Sequence, residues 1–162
     1  MINIQIICIG KIKEKSLINL CDEYTKRISK YAKISITELA DEKVDKSLSE
    51  VEIQKTKTIE CNKIIEKIQK SNKSYVISLD LNGKNLTSPE LANKISSIAT
   101  YSSGSIIFVI GGSLGLTEEL LNISDESISF STLTFPHQLI RVFLLEQVFR
   151  SFKILNNEIY HH

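Results

Sequence analysis

Ile106-Ile107-Phe108-Val109-Ile110-Gly111-Gly112-Ser113-Leu114-Gly115-Leu116 is the stretch whose reading decides the fold. Five consecutive apolar residues leave no side for water, so the run reads as a strand buried on both faces, the habit of parallel sheets. The glycines that follow at once read as a tight turn from strand to helix. A second loop, Phe130-Ser131-Thr132-Leu133-Thr134-Phe135-Pro136-His137, leaves another short strand candidate at Ile128–Phe130. In open α/β sheets ligands sit outside the carboxyl ends of the strands, so a site is expected where these two loops meet.

Outward from this centre, apolar periodicity alternates between two and three to four residues. Ile2 to Ile9 reads as a strand. A helix is predicted from Ser16, as its cap, to Tyr31, with Leu17, Leu20, Cys21, Tyr24, Ile28 and Tyr31 on one face. Ile34, Ile36 and Leu39 alternate as a half-buried strand. Ala40 to Glu50 is charged and aperiodic. Glu52 to Lys70 reads as a helix with Ile59, Ile64, Ile65 and Ile68 inward. Tyr75 to Leu81 is a strand and Asn82-Gly83-Lys84 a turn. Thr87 and Glu90 have capping-box spacing around Pro89, opening a helix that ends near Gly104. Thr117 starts a short helix, and Pro136 opens a last one that runs to about Leu155. The order βαβαβαβαβα predicts a mostly parallel sheet flanked by helices, in one domain over residues 1–162.

The last helix departs from an ordinary surface helix. Leu139, Ile140, Val142, Phe143, Leu144, Leu145, Val148, Phe149, Phe152, Ile154 and Leu155 leave it apolar almost all round. It is expected to be covered on two sides, by its own sheet and by a second subunit in a homodimer.

Composition excludes more than it names. With 42% hydrophobic and 24% charged residues the chain is of globular type. Net charge is +1, with 15 Lys/Arg against 11 Asp/Glu in residues 1–75 and 5 against 8 in the remainder. That is too weak to announce a nucleic-acid binder on charge alone. Cys8, Cys21 and Cys61 match no zinc or redox spacing; Cys8 and Cys21 read as small core residues. No metal-ligand cluster, no hydrolase Gly-x-Ser-x-Gly, no Walker motif and no dinucleotide fingerprint is present. No run reaches a membrane span and the start of the chain has no signal-peptide pattern, so a cytoplasmic setting is expected.

The polar residues of the second half are few. Arg141 and Arg150 sit on a helix too apolar to hold charges without partners. Glu146, four residues before Arg150, permits an intrahelical pair. His137 can bond at the helix start, and Tyr160 and His161 read equally as a frayed tail or a functional one.

Taken together, Phe108-Val109-Ile110-Gly111-Gly112-Ser113-x-Gly115-Leu116, Phe130-Ser131-x-x-Thr134-Phe135-Pro136-His137-Gln138, Arg141-Val142-x-Leu144-x-Glu146-Gln147-x-x-Arg150-x-x-Lys153-Ile154 and Tyr160-His161 resemble the RlmH family of SPOUT-class 23S rRNA pseudouridine N3-methyltransferases. The resemblance runs the length of the chain, including the opening pattern through Lys11. It implies a SPOUT fold with a C-terminal trefoil knot, a homodimer, and S-adenosyl-L-methionine as cofactor. The cofactor contacts carried over are Leu79, Gly111, Phe130, Ser131, Thr132, Leu133, Thr134 and Phe135. The implied substrate is 23S rRNA in the assembled 70S ribosome, with no metal and no membrane. Phe149 stands where the family often has Tyr, and Asn156-Asn157-Glu158-Ile159 where it often has Gly or Pro.

Such a transfer needs a nucleophilic nitrogen, and an imide nitrogen must first lose its proton. His137, Tyr160 and His161 are the expected proton handlers, with Arg150 orienting and stabilising the nucleobase anion. A non-catalytic dimeric ribosome-binding factor of the same fold is the competing expectation. Lys11, Lys13, Lys15, Lys26, Arg27, Lys30 and Lys33 are the candidate phosphate contacts, or ordinary solubilising charge.

Overall fold

The computed structural model describes residues 1–45 and 47–160. Ten elements alternate along the chain: β1 (Asn3–Ile9), α1 (Lys15–Ile28), β2 (Lys33–Leu39), α2 (Glu50–Gln69), β3 (Tyr75–Asn85), α3 (Ser88–Tyr101), β4 (Ser105–Ile110), α4 (Glu118–Ile123), β5 (Glu126–Ser129) and α5 (His137–Leu155). The strands form one sheet in the order β2-β1-β4-β3-β5, every pairing parallel. The expected α/β architecture of a parallel sheet flanked by helices is what forms.

The double burial inferred from the apolar run is visible residue by residue. Ile106, Phe108 and Ile110 of β4 face one layer with Ile4, Ile6 and Cys8 of β1. Ile107 and Val109 face the other with Ile7 and Ile9. The first layer is closed by α1, α3 and α5, the second by α2 and α4. Phe108 lies at the centre, paired in register with Ile6 on one side and Ile77 on the other. Burying a side chain of this size contributes about 1.5–3 kcal/mol. All three cysteines are buried and free.

Several local expectations need correction. The first helix starts at Lys15 with Glu14 at its cap position and no side-chain cap, so Ser16 lies inside the first turn. It stops at Ile28, short of Tyr31. Leu20 and Ile59, expected inward, are exposed at 38% and 45%, because Cys21 and Ile28 on α1, and Cys61 and Ile64 on α2, carry the buried stripe. The capping box of α2 is formed by Ser49 and Glu52, one residue pair earlier than the predicted start.

The Asn82-Gly83-Lys84 segment is no turn. β3 runs on to Asn85, with its register against β5 shifted between Leu79 and Lys84. A Cβ on Gly83 would lie 2.6 Å from the backbone of Ile128, so glycine is what allows the two strands this approach. The last strand is β5 at Glu126–Ser129, ending before Phe130. Thr87, Glu90 and Pro89 form the predicted capped helix start.

Candidate active site

The two loops meet as expected. The glycine turn after β4 is tight: Gly115 N–H bonds to Gly112 carbonyl at 3.1 Å, and Gly115 has φ +83°. A Cβ on Gly111 would lie 2.7 Å from Leu116 Cδ2, so this position admits only glycine without rearrangement. Beside the turn opens a cavity of about 520 Å³ at the carboxyl end of β4, where its pairing with the middle of β3 stops at Leu79. Leu79, Asp80 and Leu81 line one wall, residues 110–113 the floor, and Thr134, Phe135, Pro136 and His137 the other wall. A second cavity of about 340 Å³ lies between the start of α3, the Phe130–Ser131 backbone and the Glu146–Gln147 segment of α5. Phe135 lines both.

Of the eight residues carried over as cofactor contacts, Leu79, Gly111, Thr134 and Phe135 line the first cavity, and Phe130, Ser131 and Phe135 the second. Thr132 and Leu133 line neither; Thr132 is exposed, and Leu133 is 67% exposed. Between them the loop is turned by Ser131, whose Oγ accepts the Leu133 N–H at 3.0 Å.

His137 opens α5 at the mouth of the first cavity. It packs on Gly10, whose hypothetical Cβ would lie 3.4 Å from His137 Nε2. Burial, and next the Arg141 charge, hold its imidazole below the ordinary value of 6.5, against the pull of Asp41. At neutral pH it is therefore a neutral imidazole. One helical turn on, Arg141 is almost fully buried. Its Nη1 donates to Glu38 Oε2 at 2.6 Å and its Nη2 to the Gly10 carbonyl at 3.0 Å. That ion pair answers the need for a partner and ties α5 to the ends of β1 and β2.

Arg150 has the expected intrahelical partner. Its Nε and Nη2 donate to Glu146 Oε1 at 3.0 and 2.6 Å. Tyr160 folds back onto α5. Tyr160 donates its hydroxyl to the same oxygen at 3.1 Å, under the Arg150 guanidinium and edge-on to Phe149. Burial first, then bonding to Tyr24 and the Glu146 charge, push the phenol up to about 12, so it acts as a donor. His161 lies outside the described residues. His137 and Arg150 stand thirteen residues apart on one helix, roughly 20 Å at 1.5 Å per residue. A single chain therefore sets His137 beside the glycine turn and Arg150 beside Tyr160, well apart along α5.

Sequence reasoning passed over Glu60. It is a buried carboxylate on α2, set against Gly112 from below. The signal was present: Glu60 falls four residues before Ile64 on the inward stripe, where an apolar residue belongs.

Lys11, Lys13, Lys15, Lys26, Arg27, Lys30 and Lys33 are all exposed, with Arg27 paired to Glu23. Among the described residues no group of three or more His, Cys, Asp or Glu could hold a metal ion, and no helix is long and apolar enough to cross a membrane.

Comparison with known proteins bears on the family and the fold. Residues 2–161 match the family described as "Predicted SPOUT methyltransferase". A protein of Clostridioides difficile (strain 630), "Ribosomal RNA large subunit methyltransferase H", is 49% identical over 159 residues, covering 98% of this chain and 99% of that one. A protein of Bacillus pumilus (strain SAFR-032) with the same name is also 49% identical over the same coverage. A solved structure, "The structure of a probable methylase family protein from Haemophilus influenzae Rd KW20", superposes with a TM-score of 0.55 at 16% identity, covering 98% of this chain and 70% of that one, a likeness of fold. By sequence over nearly its whole length and by architecture, the chain belongs to the SPOUT methyltransferases and, among them, to the RlmH family.

Proposed function

We propose that this protein is an S-adenosylmethionine-dependent methyltransferase that modifies N3 of a pseudouridine in 23S rRNA of the assembled 70S ribosome. The observation that carries this reading is the first cavity. Its volume lies in the range of small-molecule sites, and Gly111 gives a ligand close approach to backbone where a side chain would not fit. Leu79, Gly111, Thr134 and Phe135 would hold the cofactor there, with Phe130 and Ser131 on the far side of Phe135. When bound, the cofactor supplies a methyl group already activated by its sulfonium.

The protein's own residues have the remaining work. His137, neutral and at the cavity mouth, is suited to accept the imide proton. Arg150 is suited to orient the base and stabilise the anion left on it. Tyr160 holds Glu146 and so fixes the direction of Arg150. Because these half-sites are separated along α5, the working site is assembled in a homodimer, His137 from one protomer and Arg150 with the tail from its partner. The trefoil knot and a cytoplasmic setting belong to the same reading. With a net charge of +1, affinity for free RNA is low and a preformed ribosomal surface supplies the binding.

The test is transfer of labelled methyl from S-adenosylmethionine to 70S ribosomes that lack the modification, with free 23S rRNA and separated subunits alongside. Label in the 70S sample alone, located to N3 of a pseudouridine, is the expected result. Saturable cofactor binding without label in any sample would favour a ribosome-binding factor.

A further inference from the structure

The carboxyl of Glu60 is 3% exposed. Its Oε2 accepts the Glu42 N–H at 3.0 Å, while Oε1 has no hydrogen-bond partner. That second oxygen is lodged against the glycine turn: a Cβ on Gly112 would lie 2.9 Å from it. The next residue, Cys61, reaches the other end of the turn, its Sγ accepting the Thr117 N–H at 3.4 Å and lying 3.8 Å from the Gly115 carbonyl oxygen. α2 thus braces both ends of the turn from the face of the sheet opposite α5. An unsatisfied carboxylate oxygen is costly to bury, and an apolar side chain would fill the same space at less cost. Burial raises the Glu60 carboxyl above its ordinary range, with Asp41 adding to this and the Glu42 N–H and Lys63 opposing it.

We propose that Glu60 is a positioning residue for cofactor binding: lodged beneath Gly112, it sets the height of the Gly111–Gly115 turn at the floor of the first cavity. It does not itself line that cavity. The proposal rests on the cofactor reading above.

The experiment uses full-length protein and four variants: Glu60→Ala, Glu60→Gln, Gly112→Ala and the double Glu60→Ala/Gly112→Ala. Affinity for S-adenosylmethionine is measured by calorimetry, turnover on 70S ribosomes by methyl transfer, folding by thermal melting, and turn mobility by amide exchange over residues 111–117. Glu60→Ala is expected to raise KM for S-adenosylmethionine about tenfold with kcat within about twofold, as loss of preorganisation does. Glu60→Gln keeps the shape and an acceptor for Glu42, and stays near wild type. Gly112→Ala forces a methyl against Oε1 and costs about tenfold in affinity. In the double variant the oxygen is gone and only Ile9 Cγ2, 3.1 Å from the added methyl, still has to give, so the loss is smaller than the product of the two single losses.

Losses that multiply in the double variant, or a fall in kcat at constant KM, overturn the proposal. So does wild-type affinity in Glu60→Ala. If the wild-type protein binds no S-adenosylmethionine, the cofactor reading fails. The bracing of the turn is then judged by exchange alone, and unchanged exchange in Glu60→Ala sinks it too.

Discussion

Arg150 lies over the ring of Tyr160, its guanidinium carbon 4.7 Å from the ring centroid. Both side chains converge on one oxygen of Glu146, so Tyr160 is held against the last helix by a charged hydrogen-bond network. If Arg150 meets the substrate, its loss should act on turnover. Arg150→Ala is expected to lower kcat on 70S ribosomes about 10²-fold. Affinity for S-adenosylmethionine, measured by calorimetry, should stay near wild type. Equal loss of both would make Arg150 a structural residue of the tail.

The Arg141–Glu38 pair gives an asymmetric prediction for stability. The arginine side chain is 3% exposed and the glutamate 35%. Removing Glu38 leaves a buried charge with only the Gly10 carbonyl, whereas removing Arg141 leaves a carboxylate that can turn to water. Breaking a fully buried pair costs about 3–5 kcal/mol, and the exposure of Glu38 lowers that here. Glu38→Ala should therefore destabilise by about 2–3 kcal/mol, and Arg141→Met by less, in urea unfolding. The reverse order would show that the Gly10 carbonyl bond dominates.

How far the sequence reached is clearest at the sheet. The apolar run of Ile106–Ile110 has no face to offer water, so its double burial and the parallel sheet were legible from composition alone. Gly83 was not: a glycine beside asparagine signals a turn equally well, and only the approach of the Ile128 backbone shows why glycine is there. At the site, the two loops and the Arg150–Glu146 pair follow from spacing. The support beneath them does not. Glu60 and Glu38 are separated from their partners by tens of residues, and no local pattern encodes which buried charge meets which.

His137 predicts a pH dependence of known sign. Burial lowers its folded-state pKa below 6.5, while the unfolded chain keeps the ordinary value. Between these values the unfolded state binds the extra proton, so stability holds above 6.5 and falls as pH drops from 6.5 through the lower folded value. His137→Gln should flatten that acid limb in unfolding experiments. If the imidazole accepts the imide proton, kcat/KM in the wild type should fall over the same window, with an apparent pKa below 6.5. A rate independent of pH there would remove His137 from proton transfer.

The separation of His137 from Arg150 leads to a test of the assembly itself. Phe143 on the outer side of α5 is 40% exposed and packs edge-on to Phe135 with centroids 5.6 Å apart. Exposed Phe143 against half-buried Phe135, flanked by half-buried Leu139 and Ile140, is the surface on which a second copy would close. Phe143→Glu should shift the protein to monomer in sedimentation and abolish methyl transfer. Complementation then separates a shared site from mere pairing. His137→Gln and Arg150→Ala, each inactive alone, would form heterodimers when mixed, in which one site receives both wild-type residues. Random pairing restores about a quarter of the sites, so about a quarter of wild-type turnover is expected. If each site lay within one protomer, every protomer in the mixture would carry one defect and no activity would return.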